Sequence, residues 1–134
     1  MNEINWSELD AKARQALYSS YSPYSGQKVG AAVLAVDSEG VERIFAGCNV
    51  ENGSYTSTIC AEVNAVTNAV TVMGPNVKIR AFSVFGDREE WDKVRQFEPC
   101  GNCRSVIFEF ATKDCLMAWS PQPVPFKDIF SFMA

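Results

Sequence analysis

The hydrophobic positions along this chain switch between helical and strand spacing, and the switch predicts an α/β protein. Residues 5–20 place apolar side chains at helical intervals, which predicts an amphipathic helix, and Asn5 stands where its N-cap is expected. Residues 28–36 are almost entirely apolar and rich in Val and Ala, a composition typical of a strand buried on both faces. The turn residues 37–40 then predict a hairpin into a return strand at 41–48.

The second half of the chain alternates helices with strands, and Gly74-Pro75 supplies a stop for the first of these helices. The predicted elements are a helix at 60–73, a strand at 79–86, a charged connection at 87–98, a helix that opens at 99–103, a fourth strand at 115–119 and a closing segment at 124–133 that is helical from about Phe126. Helices that follow strands favour right-handed crossovers and a partly parallel sheet between helix layers. We therefore expect a three-layer α/β/α sandwich around a mixed sheet of four to five strands.

Composition indicates one ordinary globular domain, which we assign to residues 1–134. The 134 residues are 47% hydrophobic and 21% charged, a normal balance for such a domain. The sequence lacks an apolar N-terminal segment and any run of roughly 18 apolar residues, so we expect no signal peptide, no membrane partner and a cytoplasmic location. The net charge of -4 argues against a nucleic-acid partner, since proteins that bind nucleic acid usually present a basic face.

The chain contains five cysteines and no histidine, and this limits which catalytic groups and metal ligands it can offer. An odd number of cysteines without a secretory signal favours metal binding or catalysis over a disulfide framework. Without histidine the chain cannot assemble a Ser-His-Asp or Cys-His catalytic group on its own. A transition-metal site must therefore use thiolates, carboxylates or backbone groups, and a set of three thiolates favours zinc.

Three of the cysteines stand at the predicted starts of two helices. Cys60 begins one helix and is followed two residues later by Glu62, while Cys100 and Cys103 open the next helix. The free N–H groups of a helix N-terminus stabilise thiolates, and two parallel crossovers place both helix starts at one edge of the sheet. Three thiolate ligands leave the fourth position of a catalytic zinc open for water. Glu62 is then placed to take a proton from that water without binding the metal.

Two other uses of these cysteines compete with the catalytic interpretation. A structural zinc site normally needs four protein ligands. Its fourth thiol would be Cys48 or Cys115, which lie on predicted strands and are expected to be buried packing residues. A redox pair formed by Cys100 and Cys103 is disfavoured by the Pro-Cys-Gly start of the motif and by the third cysteine at another helix start.

Together the two cysteine motifs resemble a known family signature. Cys60-Ala61-Glu62 and the segment 99–104, Pro-Cys-Gly-Asn-Cys-Arg, are similar to the three-cysteine signature of the zinc nucleobase deaminases. Further similarity, from about Trp6 to about Trp119, identifies the chain with the small homotetrameric cytidine deaminases. The segments that carry this further similarity are 22–25, 29–32, 47–52 and Tyr55.

The resemblance implies an activity and a role for each residue of the signature. The implied activity is zinc-dependent hydrolytic deamination of cytidine or deoxycytidine to uridine or deoxyuridine, with release of ammonia, as in pyrimidine salvage. One zinc ion per subunit is implied to be bound by Cys60, Cys100 and Cys103. Glu62 is implied to move protons from water to the pyrimidine ring nitrogen and to the departing amine.

The resemblance also implies the substrate contacts and the assembly. Asn49 and Glu51 match the residues that contact ribose hydroxyls in the family, and the backbone of Ala61 matches a contact to the base. In the family each site is completed by neighbouring subunits, and Tyr55 matches a loop near that interface. The partners that follow are a pyrimidine nucleoside and further copies of the chain in a homotetramer.

Three features depart from the family pattern. Val63 stands where the family usually has Arg after Cys-Ala-Glu, so we expect weaker activation of water or a shifted pH optimum. Gln27 stands where the family has a Phe that lines the base pocket, which predicts an altered preference for the base. The C-terminal end is short, and neither Phe130 nor Phe132 is assigned the pocket aromatic that the family carries there.

These departures leave two alternatives to cytidine deamination. In the first, the substrate is a modified aminopyrimidine nucleoside or a nucleoside antibiotic such as blasticidin S, which Gln27 and the altered end favour. In the second, the protein is a non-catalytic, zinc-stabilised oligomeric binding protein, which Val63 favours. Glu62 argues against the second alternative, because a structural site does not need this acid.

Overall fold

The structure, a computed structural model, describes residues 3–54, 57–87, 101–118 and 122–129. Its elements, in chain order, are α1 (Trp6–Leu17), β1 (Val29–Val36), β2 (Glu42–Cys48), α2 (Ala61–Met73), β3 (Lys78–Gly86), α3 (Gly101–Phe110), β4 (Ala111–Met117), β5 (Val124–Pro125) and α4 (Phe126–Ile129). No helix within these ranges is long and apolar enough to cross a membrane.

The strands form one mixed sheet in the order β2-β1-β3-β4-β5. β1 is antiparallel to both of its neighbours, β3 and β4 are parallel, and β5 is antiparallel to β4. Because β2 and β3 are both antiparallel to β1, they point in the same direction. The helices that follow these two strands, α2 and α3, therefore begin at the same edge of the sheet.

Two apolar clusters lie on opposite faces of this sheet and define three layers. On one face α1 packs its buried residues Leu9, Ala13 and Leu17 against the sheet. On the other face α2 and α3 pack against it, with Val66 and Ile107 fully buried. The predicted α/β/α sandwich with a mixed sheet is confirmed, as is the burial of β1 on both faces.

Gly47 allows β2 to approach α2 at the point where α2 begins. A Cβ atom at this position would lie 2.5 Å from the backbone nitrogen of Ala65 and 2.8 Å from the carbonyl oxygen of Ala61. Both contacts are to backbone atoms, so a side chain here has to push the helix away from the strand. The glycine is required by the packing of the helix against the sheet.

We expect Gly47→Ala to lower the free energy of unfolding by about 1–3 kcal/mol, the usual cost of overpacking a core. Gly53→Ala is a matched control, because its Cβ would meet a side chain and not backbone, with the Tyr24 hydroxyl nearest at 3.4 Å. Urea denaturation of both variants measures the difference. Equal stability of Gly47→Ala and the unsubstituted protein would contradict the close packing of β2 on α2.

The outer edge of β2 is covered by two side chains of α2. Asn64 and Asn68 lie one helical turn apart. The Asn64 side-chain amide donates to the carbonyl oxygen of Cys48 at 3.1 Å, and that of Asn68 donates to the carbonyl oxygen of Ala46 at 3.0 Å. Two carbonyl groups of this edge strand are therefore hydrogen-bonded within the chain.

Several element boundaries differ from the sequence prediction. Helix α1 ends at Leu17, three residues before the predicted end, because the chain turns there and Ser20 N–H donates to the Leu17 carbonyl at 3.1 Å. Strand β4 begins at Ala111 and not at Cys115. The sequence does not predict this earlier start because Lys113 and Asp114 are both polar and exposed and interrupt any strand pattern. Of the predicted connection at 87–98, residues 88–98 lie outside the described residues, as do Trp119, Phe130 and Phe132.

Candidate active site

The cysteine and glutamate motifs lie at the starts of α2 and α3. Cys60 is the N-cap of α2, with an extended backbone (φ -74°, ψ 152°), and its carbonyl accepts the first helical hydrogen bond from Asn64 N–H at 3.0 Å. Glu62 lies in the first turn of α2, and Cys103 lies in the first turn of α3. Both helix N-termini direct partial positive charge toward these side chains, which favours thiolates there.

Glu62 links the two motifs. Its side chain is only 3% exposed, and the Cys103 thiol donates a hydrogen bond to its carboxylate. Burial raises the pKa of Glu62 to about 7, and the neighbouring Cys60 thiolate acts in the same direction, while hydrogen bonds to its own backbone N–H and to Cys103 oppose the rise. A carboxyl group with this pKa can both accept and release a proton near neutral pH.

The donor atoms at this edge suit a zinc ion. Cys60 and Cys103 flank Glu62, and sulfur ligands at helix N-termini are typical of zinc sites. Among the described residues, no three side chains of the metal-binding types lie close enough together to hold an ion. A third sulfur ligand must come from elsewhere in the chain, and the predicted ligand Cys100 lies outside the described residues.

The two remaining described cysteines are on strands, as predicted. Cys115 on β4 is 2% exposed, and burial raises the pKa of its thiol to about 12, so it stays protonated and packs in the core. Cys48 at the end of β2 is half-buried, less than expected, and burial raises the pKa of its thiol as well. A protonated thiol is a poor metal ligand, which argues against either residue as a fourth ligand.

Asn49, which follows β2, ties the end of this strand to the segment before β1. Its side-chain oxygen accepts from Val29 N–H at 2.9 Å and from the Ser20 hydroxyl, and its side-chain nitrogen donates to the Gln27 carbonyl at 2.8 Å. The residue is 8% exposed. The predicted sugar contact is thus also part of the framework that holds the 20–29 segment.

We expect Asn49→Ala to lower the free energy of unfolding by about 1–3 kcal/mol, because the Val29 N–H and the Gln27 carbonyl lose their partner. Asn52→Ala is the control, since Asn52 is exposed and accepts from Ser54 N–H only within its own turn. The control should stay within about 0.5 kcal/mol of the unsubstituted protein. Chemical denaturation of both variants tests this, and equal effects would contradict the bridging role of Asn49.

Glu51 is held by the turn at 24–25. Its Oε1 accepts from Tyr24 N–H and Ser25 N–H, both at 3.1 Å, and its Oε2 accepts from the Ser25 hydroxyl. The hydroxyl and backbone N–H of Ser25 hold the pKa of Glu51 below its usual value. Glu51 is therefore an ionised hydrogen-bond acceptor.

The other predicted site residues lie around these two groups. Ala61 is fully buried as the first residue of α2, and Val63 is half-buried in the first turn of the same helix. Gln27 is half-buried, and its backbone N–H donates to the Ser25 hydroxyl at 3.1 Å. Tyr55 lies outside the described residues.

Two further residues of this region, Ser20 and Ser25, were not predicted from the sequence. Their hydroxyls bind the side chains of Asn49 and Glu51. The available signal was the placement of hydroxyl residues on both sides of the Pro23 turn. Hydroxyls in such a turn usually bond to their own backbone, so the signal does not distinguish a local contact from a distant one.

An α/β/α sandwich with thiols and a proton-carrying acid at two helix starts is the arrangement expected of a zinc-dependent deaminase. Residues 5–119 match the family model described as the cytidine and deoxycytidylate deaminase zinc-binding region. The chain belongs to this family, and the resemblance inferred from the sequence motifs is confirmed.

Individual relatives and a solved structure also support membership in this family. The chain is 36% identical over 123 residues to a cytidine deaminase of Mycobacterium tuberculosis, covering 92% of this chain and 84% of the relative. It is 41% identical over 103 residues to a cytidine deaminase of Sporosarcina psychrophila, covering 77% and 68%. The crystal structure of the M. tuberculosis cytidine deaminase superposes with a TM-score of 0.75 at 28% identity, covering 96% of this chain and 95% of that one.

Proposed function

We propose that this protein is a zinc-dependent hydrolase that converts cytidine or deoxycytidine to uridine or deoxyuridine and releases ammonia. The observation that supports the proposal most directly is the buried Glu62 carboxyl, which lies beside Cys60 and Cys103 and has a pKa of about 7. Family membership supplies the substrate class, because the similar proteins of M. tuberculosis and S. psychrophila are cytidine deaminases.

Cys60, Cys100 and Cys103 would hold one zinc ion per subunit. Zinc bound by thiolates supplies a Lewis acid that makes water nucleophilic near neutral pH. As the water oxygen attacks the ring carbon that bears the amino group, the Glu62 carboxylate accepts a proton and delivers it to the ring nitrogen. Glu62 then transfers the second proton of the water to the amine, the carbon–nitrogen bond breaks, and ammonia leaves.

Asn49 and Glu51 offer complementary groups to a sugar. With the partners found in the described residues, Asn49 keeps one amide hydrogen and Glu51 keeps one lone-pair site on Oε2. A hydroxyl group both donates and accepts, so an amide donor beside a carboxylate acceptor suits sugar hydroxyls. This supports a nucleoside over a free base as the substrate.

Val63 adds no positive charge to the site, so the helix N-termini have to offset the charge of the thiolates. We therefore expect weaker activation of water than in relatives with Arg at this position. Gln27 is proposed to face the base, and Ala61 to contact it through its backbone. Because Gln27 stands where the family has Phe, nucleosides with modified bases belong among the substrates that are tested.

We also propose that the chain forms a homotetramer. Apolar side chains are exposed around the segment that precedes Cys60, where Tyr21 pairs with Val50 and Val50 pairs with Ile59. These three side chains are 57%, 40% and 43% exposed, and such a patch marks an interaction surface. Sedimentation of the purified protein should give the mass of four chains, and a monomer at micromolar concentration would contradict the tetramer.

Residues 1–134 are proposed to form a single domain that acts in the cytoplasm, in pyrimidine salvage. The family match spans residues 5–119, most of the chain, which supports a single domain.

A substrate panel tests the proposed function. We expect purified protein with bound zinc to deaminate cytidine or deoxycytidine with the highest kcat/KM, followed by the change in ultraviolet absorbance. A higher kcat/KM for blasticidin S or another modified aminopyrimidine nucleoside would support the first alternative. Bound zinc without turnover of any compound would support a non-catalytic binding protein.

A further inference from the structure

The Glu51 carboxylate has little freedom to reorient. A carboxylate offers about four lone-pair sites, and in the described structure three of those on Glu51 are occupied. Tyr24 N–H and Ser25 N–H occupy Oε1, and the Ser25 hydroxyl occupies one site on Oε2. The remaining site on Oε2 is the one that can accept a hydrogen bond from an incoming hydroxyl group. Its direction depends on where the Ser25 hydroxyl binds.

The proton of the Ser25 hydroxyl is itself directed toward Glu51. The Ser25 oxygen accepts from Gln27 N–H at 3.1 Å, so the hydroxyl acts as acceptor on one side and as donor to the carboxylate on the other. Hydrogen bonds that are linked in series through one hydroxyl polarise and strengthen one another. Glu51 is 8% exposed and so depends mainly on protein donors to stabilise its charge.

The same turn also forms a hydrogen bond with Asn49, the second residue proposed to contact the sugar. The Gln27 carbonyl accepts from the Asn49 side-chain amide at 2.8 Å. Ser25 and Gln27 thus connect the carboxylate of Glu51 with the amide of Asn49, which lies two residues before it. The turn fixes the spacing between the acceptor and the donor that a sugar would meet.

We infer that Ser25 is a positioning residue that aims the free Oε2 site of Glu51 and thereby sets the preference for substrates with secondary sugar hydroxyls. The inference rests on the proposed function, since it concerns how the nucleoside is held. Ser25 acts through Glu51 and does not take part in the proton transfers at Glu62. Its loss should therefore change substrate binding and leave the chemical step intact.

The test compares cytidine with an analogue that lacks both secondary sugar hydroxyls. For Ser25→Ala we expect KM for cytidine to rise roughly five- to tenfold, because a hydrogen bond to a charged group is lost, with kcat within about twofold of the unsubstituted value. KM for the analogue should not change. Ser25→Thr keeps the hydroxyl and should restore the cytidine KM. Ser22→Ala removes another hydroxyl of the same turn, one that contacts Ser20 but not Glu51. This variant should leave KM unchanged for both cytidine and the analogue.

Each outcome has a distinct meaning. A rise in KM for cytidine alone, reversed in Ser25→Thr, supports the inference. An equal rise in KM for cytidine and the analogue, or no recovery in Ser25→Thr, overturns it. A merely structural role for Ser25 would weaken the binding of both substrates alike. Retained kcat on the analogue shows that Ser25→Ala is folded. If the unsubstituted protein turns over neither substrate, the proposed function has failed, and the inference falls with it.

Discussion

Glu62→Gln should lower kcat for deamination by about 10²–10⁴-fold, the contribution of a general acid–base group. Glutamine has nearly the same size and keeps hydrogen-bonding groups, but it cannot take a proton from water or return one to the amine. The variant should still fold, because the substitution removes the cost of burying a carboxylate that is 3% exposed. We expect the melting temperature of the metal-free variant to equal or exceed that of the unsubstituted protein.

Glu109→Gln is the matched control for this substitution. Glu109 lies on the exposed face of α3, so the same chemical replacement there should leave kcat unchanged. Zinc content is measured in both variants to separate loss of the acid from loss of the metal. A Glu62→Gln enzyme with full zinc content and normal kcat would refute the proposed proton transfer.

Cys103→Ala should remove both zinc and activity. Cys103 is fully buried in the first turn of α3 and its thiol contacts Glu62, so no other side chain can easily take its place. Removing a residue that hydrogen-bonds to a metal ligand already lowers metal affinity by about 10–100-fold. Loss of a ligand itself should therefore exceed about 100-fold. The zinc-to-protein ratio after dialysis against a weak chelator measures this.

Cys115→Ala provides the control for Cys103→Ala. Cys115 is also buried, at 2% exposure, so the two variants lose the same sulfur atom from similarly packed sites. Both should lose some stability, because each leaves a small cavity. Only Cys103→Ala should lose zinc and deaminase activity. If both variants retain zinc, or both lose it, Cys103 is not a specific ligand.

The positions of the predicted metal and proton-transfer residues followed from local signals. Cys60 and Glu62 stand at the start of a strong helical pattern that ends at Gly74, and this pattern fixes their place at a helix start. The direction of β2 and β3 then determines that α2 and α3 start at one edge, as strand order and crossover rules predict. These parts of the fold depend on contacts close in sequence or on general rules of chain connection.

The contacts of Glu51 could not be predicted in the same way. Ser25 and Glu51 are 26 positions apart and meet where Tyr21 pairs with Val50. No periodic pattern records such a pairing between two irregular segments. The start of β4 could not be predicted for another reason, since the exposed polar residues Lys113 and Asp114 do not alternate with apolar ones.

The asparagine pair on α2 has a consequence for how copies of this chain can associate. An uncovered edge strand offers its backbone to the strand of another molecule, which leads to continuous sheets and aggregation. Asn64 and Asn68 already occupy the Cys48 and Ala46 carbonyls on β2, so an incoming strand would have to displace both amides. Continuous sheet formation through backbone pairing at the β2 edge is therefore disfavoured.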